Sequence, residues 1–213
     1  SVSQDVEVFA LPTVTATGTP TEICDDETVT LTGGGADTYT WDMGVTDGIA
    51  FTPAAIGTTT YTVTGTETAT GCSNTAVIEL VVHDLPVVTA TATPSTICLG
   101  ESVTFTGDGA STYNWDGGVV DGTPFTPTET GSLTFNVIGE DAVTGCRNTA
   151  SVAIYIHELP IVSAAVDDSV ICYGESIVFN GSGAVSYAWD LGVDDDEAYT
   201  PDTTGLVTFT VTG

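Results

Sequence analysis

Apolar and polar residues alternate along most of this chain, and threonine supplies much of the polar face. Val29 and Leu31, for example, alternate with Thr28, Thr30 and Thr32. This two-residue period is typical of a half-buried β-strand. Clusters rich in glycine and proline separate the runs, and no stretch has a helical period. The pattern therefore predicts an all-β chain whose strands carry threonine on their outer faces.

The whole pattern recurs with a gapless 74-residue period. A period of this kind indicates tandem copies of one small domain. The recurring landmarks are Leu11-Pro12, Leu85-Pro86 and Leu159-Pro160; Cys24, Cys98 and Cys172; Trp41, Trp115 and Trp189; and Cys72 and Cys146.

The period divides the chain into four segments. Residues 1–10 align with residues 75–84 and are interpreted as the last strand of a preceding repeat. Repeat 1 is 11–84, repeat 2 is 85–158, and repeat 3 is 159–213, which lacks its last strand. The simplest interpretation is a window from a longer periodic chain. The alternative is that residues 1–10 complete the sandwich of a neighbouring subunit, as in donor-strand polymerisation.

About seven short strands and one buried tryptophan per repeat favour an immunoglobulin-like β-sandwich. The joint between repeats has almost no linker, because the last strand runs through Leu-Pro into the next repeat. Proline fixes its own φ angle and biases the preceding residue towards an extended conformation. We therefore expect tandem immunoglobulin-like sandwiches with a 74-residue period that form an extended rod, each advancing roughly 35–45 Å.

The five cysteines fall at two positions of the repeat. The same interval separates Cys24 from Cys72 and Cys98 from Cys146. This spacing predicts disulfides Cys24–Cys72 and Cys98–Cys146, each closing one end of a sandwich. Cys172 would then pair at position 220, outside the chain. Paired cysteines favour an oxidising location, extracellular or on the cell surface.

The charge balance excludes several classes of partner. The chain has 29 acidic residues, one basic residue (Arg147) and a formal net charge of −28. Phosphate backbones would repel such a chain, so no nucleic-acid partner is expected. No apolar run is long enough for direct membrane insertion. The expected partners are neighbouring repeats of the same long chain, other copies in a filament, and an unknown surface or glycan target.

Paired aspartates recur in the loop that follows each tryptophan. Two carboxylates in one loop could hold Ca²⁺, which prefers oxygen ligands, but aspartate is also a common turn former. Both interpretations stay open here, and no cofactor is required. The candidate calcium ligands are Asp42 and Asp47, Asp116 and Asp121, and Asp190 and Asp195.

No enzymatic activity is expected. The aspartate pairs occur in every repeat, whereas an active site is seldom repeated in tandem, and no Ser or Cys nucleophile, His and acid can be assembled economically. The two histidines, His83 and His157, occupy one repeat position at the joint. They are interpreted as packing residues there, with a metal or pH-sensitive hinge as the alternative. Zinc is poorly supported, because the chain has no CxxC motif.

Several motifs resemble those of a known family. Residues 97–107 (ICLGESVTFTG), 112–116 (TYNWD) and 144–146 (TGC) resemble the Ig-like repeats of large Bacteroidota surface proteins. The resemblance covers essentially the whole chain and implies export by the type IX secretion system, as for gliding-motility adhesins and other giant surface fibres. The Trp-Asp-x-Gly element at 41–44, 115–118 and 189–192 is similar to the PKD-domain signature. Ser169 and Thr203 lie in triplets that resemble the Bacteroidota O-glycosylation motif.

These observations predict a structural stalk or fibre segment of a giant secreted bacterial surface adhesin, which mediates attachment or cell-surface contact. A second interpretation is a module whose repeats each bind glycan or a partner cell weakly and gain avidity. A third is a subunit of a multi-chain extracellular filament, assembled by donor-strand complementation. Aromatic residues confined to core positions favour the first interpretation.

Overall fold

The computed structural model describes residues 2–213, and over this range the chain is all-β, as the sequence predicts. Residues 2–213 contain no helix, and hence none that is long and apolar enough to span a membrane. Valine, isoleucine, threonine and aromatic residues fit a pleated, half-buried surface, which explains why these runs form strands.

Nineteen strands occur in this range. The strands before Leu85 are β1 (Thr15–Thr19), β2 (Glu22–Cys24), β3 (Val29–Gly34), β4 (Thr38–Trp41), β5 (Ala50–Phe51), β6 (Gly57–Thr66) and β7 (Ser73–His83). The strands between Leu85 and Leu159 are β8 (Thr89–Thr93), β9 (Thr96–Cys98), β10 (Val103–Asp108), β11 (Thr112–Trp115), β12 (Pro124–Phe125), β13 (Gly131–Glu140) and β14 (Arg147–His157). The remaining strands are β15 (Ser163–Val166), β16 (Ile177–Ser182), β17 (Ala188–Trp189), β18 (Ala198–Tyr199) and β19 (Val211–Thr212).

Repeat 1 contains two sheets consistent with a β-sandwich. One sheet has the order β1-β3-β5, and the other has the order β2-β7-β6-β4. All neighbours are antiparallel except β2 and β7, which are parallel. Apolar side chains from both sheets form one buried cluster, which removes them from water and stabilises the pair of sheets. Its buried members are Ile23, Val29, Leu31, Trp41, Tyr61, Val63, Leu80 and Val82.

The chain divides into two compact units. The first comprises residues up to Pro94, Val103–Phe125 and Thr134–Ala153, and the second comprises Ser95–Ser102, Thr126–Leu133 and Ile154–Gly213. The predicted repeat boundaries stay predictions.

Within the first unit, β10 pairs antiparallel with β8 and with β12, and β11 pairs antiparallel with the end of β13. An aromatic cluster surrounds the fully buried Phe105, whose ring centroid lies 4.5 Å from that of Phe135 and 5.4 Å from that of Trp115. Val103 beside it is also fully buried. The alternating residues of this strand therefore face a core, as the sequence predicts.

Within the second unit, the end of β14 pairs in parallel with β9, and β16 pairs antiparallel with β15 and with β18. Ile177 and Phe179 of β16 are buried and contact Trp189 and Phe209. Strands β17 and β19 form a separate two-residue pairing. Repeat 3 thus forms less sheet than repeat 1 at the corresponding positions.

Residues 2–10 form no strand, and every side chain in this segment is exposed. The predicted strand over residues 1–10 therefore finds no partner in this chain, and Ser1 lies outside the described residues. A strand needs a neighbour to satisfy its backbone N–H and C=O groups, so an isolated segment of this kind does not become a strand by its own propensity.

Candidate functional site

Cys24 lies at the end of repeat 1 that adjoins repeat 2. It ends the short strand β2, which pairs in parallel with the end of β7 and places Cys24 opposite His83. The Glu27 carboxylate accepts a 2.9 Å hydrogen bond from the Cys24 amide, and the Glu27 amide donates a 3.1 Å bond to the Cys24 carbonyl. These bonds close a tight turn and fix the backbone position of Cys24.

Cys146 lies in the tight turn between β13 and β14. The turn is closed by a 2.9 Å bond from the Asp141 amide to the Cys146 carbonyl and a 2.8 Å bond from the Gly145 amide to the Asp141 carbonyl. Gly145 has a φ of +74°, a conformation that costs a glycine little. The Asp141 carboxylate accepts bonds from the amides of Thr144 and Val143, at 3.1 and 2.8 Å. These amides, Thr144 first, hold the pKa of Asp141 below its usual value.

A disulfide joins Cys24 to Cys146, with the two Cα atoms 5.6 Å apart, and so connects repeat 1 with repeat 2. The predicted pairs Cys24–Cys72 and Cys98–Cys146 are therefore wrong. Cys72, Cys98 and Cys172 are free, and Cys98 and Cys172 are exposed. The bond itself indicates a non-reducing environment, in agreement with the prediction of an oxidising location.

The register of β7 explains why a disulfide within repeat 1 cannot form. Cys24 lies opposite His83 at the end of this strand, whereas Cys72 immediately precedes Ser73 at its start. An 11-residue strand spans about 35 Å at about 3.3 Å per residue, far beyond the roughly 7 Å limit for bonded cysteines. Cys24 and Cys72 thus lie at opposite ends of repeat 1, and Cys24 bonds with Cys146 while Cys72 stays free.

In repeat 2, Cys98 lies opposite His157 at the end of β14, and Cys146 immediately precedes Arg147 at the start of that strand. The observed bond joins the cysteine at this position of repeat 1, Cys24, to the cysteine of repeat 2 that corresponds to Cys72, namely Cys146.

Contacts within each repeat hold the residues on the two sides of the joint. The His83 carbonyl accepts a 2.8 Å bond from the Asp25 amide, and the His83 ring lies 3.8 Å from the Glu22 carboxylate. The Asn148 side chain of repeat 2 donates a 3.0 Å bond to the Pro86 carbonyl. The predicted joint histidines lie at strand ends, and His157 is exposed. Their predicted roles in packing or as a hinge stay predictions.

The candidate calcium ligands are hydrogen-bond acceptors within each repeat. Asp47 uses a single carboxylate oxygen to accept bonds from the Trp41 indole N–H, at 2.8 Å, and the Gly33 amide, at 2.7 Å. Asp42 accepts a 3.0 Å bond from the Thr62 amide. Asp121 and Asp195 repeat the contacts of Asp47, and Asp116 and Asp190 repeat that of Asp42.

No group of three or more His, Cys, Asp or Glu side chains within residues 2–213 is arranged to hold a metal ion. The sequence pattern therefore predicted the loop that contains the paired aspartates. It did not predict that their carboxylates accept hydrogen bonds from N–H groups. The recurrence of these aspartates at a fixed distance from each tryptophan was the available signal. Calcium binding stays a prediction.

In each repeat a tyrosine hydroxyl also holds a turn through two hydrogen bonds. The sequence pattern did not predict this contact. The Tyr39 hydroxyl accepts a 2.8 Å bond from the Ala36 amide and donates a 2.5 Å bond to the Ala36 carbonyl. Gly33 lies beneath the ring, where an added Cβ would collide with the ring carbons of Tyr39. Glycine is therefore required at this position. Tyr113 and Tyr187 make the same pair of bonds in the other repeats.

The candidate glycosylation residues Ser169 and Thr203 are exposed and line one groove in repeat 3. The same groove is lined by the apolar side chains of Ile171, Val207 and Phe209. The exposure of Ser169 and Thr203 is compatible with glycosylation, which stays a prediction.

No protein-family model matches the sequence, and no curated protein is significantly similar to it.

Proposed function

We propose that this chain is a structural stalk or fibre segment, built from immunoglobulin-like β-sandwich domains that recur with the period of the sequence and are covalently stapled one to the next. The observation that carries the proposal is the Cys24–Cys146 disulfide, which spans 122 residues of sequence and connects repeat 1 to repeat 2. Cys146 is fully buried, so the bond contributes to packing around its turn as well as to the connection between domains.

Two covalent connections restrict a joint more than one does. At this joint the polypeptide passes directly from His83 through Leu85-Pro86 into repeat 2, and the disulfide forms a second link beside it. A single flexible link permits bending in every direction, whereas two separated links resist rotation about most axes. Proline stiffens the first link further. This construction suits a spacer that must stay extended.

The burial of the tryptophans supports a structural role over glycan binding, whereas Tyr155 and Tyr173, 49 % and 75 % exposed, depart from the expected confinement of aromatic residues to core positions. Trp41 and Trp115 are 5 % and 6 % exposed, so neither indole is available to stack on a sugar. Each repeat also devotes its tryptophan N–H to an internal aspartate. Extracellular export, attachment to a surface, and membership of the giant Bacteroidota type IX adhesins belong to the same proposal and rest on the sequence resemblance.

Solution scattering of the purified chain tests the stapled joint. A compact 213-residue protein has a radius of gyration of about 17 Å. Three domains in line, each advancing about 35 Å, give roughly 30 Å or more. We expect the larger value, and a broader distribution of distances for a Cys24→Ser/Cys146→Ser variant. Cys98→Ser is the matched control, because Cys98 is unbonded. The smaller, compact radius for the unmodified chain would contradict the proposal.

Electron microscopy of the native cells, with gold-labelled antibody against this segment, tests the biological role. Label along filaments that project from the surface would support the stalk or fibre. Label scattered over the cell without filaments, combined with glycan binding by an isolated repeat, would replace it with the weak multivalent binding module.

A further inference from the structure

Repeat 1 carries an open groove of about 390 Å³ beside the loop that follows Trp41 and the first half of β6. Phe51 and Tyr61 line it, with their ring centroids 5.6 Å apart. Met43 and Ile49 also line it and are 67 % and 60 % exposed, and its described lining residues are all uncharged. The volume and the apolar lining are typical of small-molecule sites.

The Tyr61 hydroxyl has no hydrogen-bond partner among residues 2–213, although its residue is only 4 % exposed. Within the same range no fully enclosed polar side-chain atom lacks a partner, so this oxygen opens into the groove that Tyr61 lines. A nearly buried hydroxyl without a partner is costly. A ligand that forms a hydrogen bond with it would remove that cost.

Repeat 2 indicates that the sandwich does not need this hydroxyl. By the period of the sequence, Tyr61 corresponds to Phe135, which is also buried. Repeat 3 likewise has a phenylalanine, Phe209, at this position. Thr59, which lines the groove, corresponds to the larger Leu133 of repeat 2. The groove of repeat 1 therefore differs from the same region of repeat 2 both in space and in chemistry.

The charges around the groove select against an anionic ligand. Burial, and then the charge of Asp42, raise the pKa of Tyr61 above its usual value, so its hydroxyl stays protonated at neutral pH. A protonated hydroxyl donates one hydrogen bond and accepts others. The formal net charge of −28 repels anions from the chain as a whole. An uncharged ligand that has its own hydroxyl meets both conditions.

We propose that this groove binds a small uncharged aromatic molecule that carries a hydroxyl group. The ring of the ligand would lie against Phe51 and against the thioether of Met43, since sulfur makes favourable contacts with aromatic rings. The hydroxyl of the ligand would form a hydrogen bond with Tyr61. Repeat 1 would thus bind a ligand within a chain whose proposed role is structural. This inference goes beyond the proposed function and does not depend on the Cys24–Cys146 bond.

Met43 provides the reporter for the test, because it is the single methionine of the chain and lines the groove. Isotope labelling of the methionine methyl group in the full chain therefore gives one nuclear magnetic resonance signal at this site. Benzyl alcohol is the probe, toluene is the analogue without the hydroxyl, and benzoate is the anionic analogue. We expect a saturable shift of the Met43 signal with benzyl alcohol and weaker binding of benzoate, which the negative chain repels.

Two variants introduce the residues of repeat 2, so the sandwich should still fold, which circular dichroism checks. Tyr61→Phe should lower the ratio of the toluene Kd to the benzyl alcohol Kd by about 3–10-fold, the effect of one lost hydrogen bond, with the toluene Kd unchanged. Thr59→Leu should fill the groove and abolish the shift with both probes. Thr60→Leu is the matched control and should bind normally, because Thr60 is exposed on the opposite face of β6.

Three outcomes would overturn the inference. A Met43 signal that shows no saturable shift with benzyl alcohol would mean that the groove binds no ligand of this class. An unchanged ratio of the two Kd values in Tyr61→Phe would mean that the hydroxyl of Tyr61 is not the partner. A shift that survives in Thr59→Leu would place the probe outside the groove.

Discussion

At the scale of single residues, one carboxylate oxygen in each repeat joins an indole to a neighbouring strand. In repeat 2 the Asp121 oxygen accepts bonds from the Trp115 indole N–H and from the Gly107 amide, both at 2.8 Å. Trp115 is buried against Phe105. Removal of the acceptor would leave two partly buried N–H groups without a partner.

We predict that Asp121→Ala lowers the free energy of unfolding by about 1–3 kcal/mol, the cost of unsatisfied buried donors. Urea unfolding followed by tryptophan fluorescence measures it. Glu129→Ala is the control, because Glu129 is exposed. An effect no larger than that of the control would show that water replaces the carboxylate without cost.

A second residue-scale prediction concerns acid sensitivity at the cysteine turn. The amides of Thr144 and Val143 lower the pKa of Asp141, with the charge of His83 as a smaller cause. A carboxyl whose pKa falls on folding stabilises the fold above its unfolded pKa, near 3.8, and loses that contribution as the pH falls through the folded value. Asp141→Asn should therefore be less stable than the unmodified chain at pH 7, with the difference shrinking below about pH 4.

Urea midpoints at pH 7 and at pH 2.5 measure this difference. Asp108→Asn serves as the matched control, because Asp108 is an exposed aspartate of the same repeat. A difference between Asp141→Asn and the unmodified chain that stays constant across this pH range would contradict the assigned cause.

At the scale of secondary-structure elements, the turn between β13 and β14 contains Cys146, which forms a disulfide with Cys24 of the preceding repeat. Closing a 122-residue loop reduces the entropy of the unfolded chain by an amount equivalent to about 5 kcal/mol. We predict that Cys146→Ser lowers the stability of repeats 1 and 2 by up to this amount, and by less if the repeats unfold separately. Calorimetry measures the loss, and Cys98→Ser should show none.

Much of the element level could be predicted from the sequence. The alternation around Val29, Val103 and Ile177 identified the strands β3, β10 and β16 and their buried faces. Local patterns suffice there, because side-chain direction in a strand depends only on the period of two.

The cysteine partners could not be predicted in the same way. The sequence interval between Cys24 and Cys72 does not reveal that β2 runs parallel to β7 and places the two at opposite ends of the sheet. The role of Asp47 was hidden for a related reason. Its partner Gly33, 14 residues away, becomes a neighbour only after the loop closes.

At the scale of the whole molecule, the formal net charge of −28 opposes every contact between chains. We predict that association between copies of the chain becomes faster as salt is added, because the Debye length falls from about 30 Å at 10 mM to about 8 Å at 150 mM. Light scattering of the unmodified chain across this range measures the association rate. Magnesium and calcium compared at equal ionic strength separate screening from specific binding. A rate that falls with salt would point to attraction instead.

The disulfide between repeat 1 and repeat 2 also determines how the chain responds to tension. Under force applied to the two termini, the Cys24–Cys146 bond prevents the residues between these cysteines from being pulled out while it is intact. A stretch of 122 residues would otherwise add roughly 400 Å of slack when pulled out. Stretching one molecule before and after reduction would reveal this hidden length. Reduction of this one bond would therefore release the enclosed length, whereas the segments before Cys24 and after Cys146 extend independently of it.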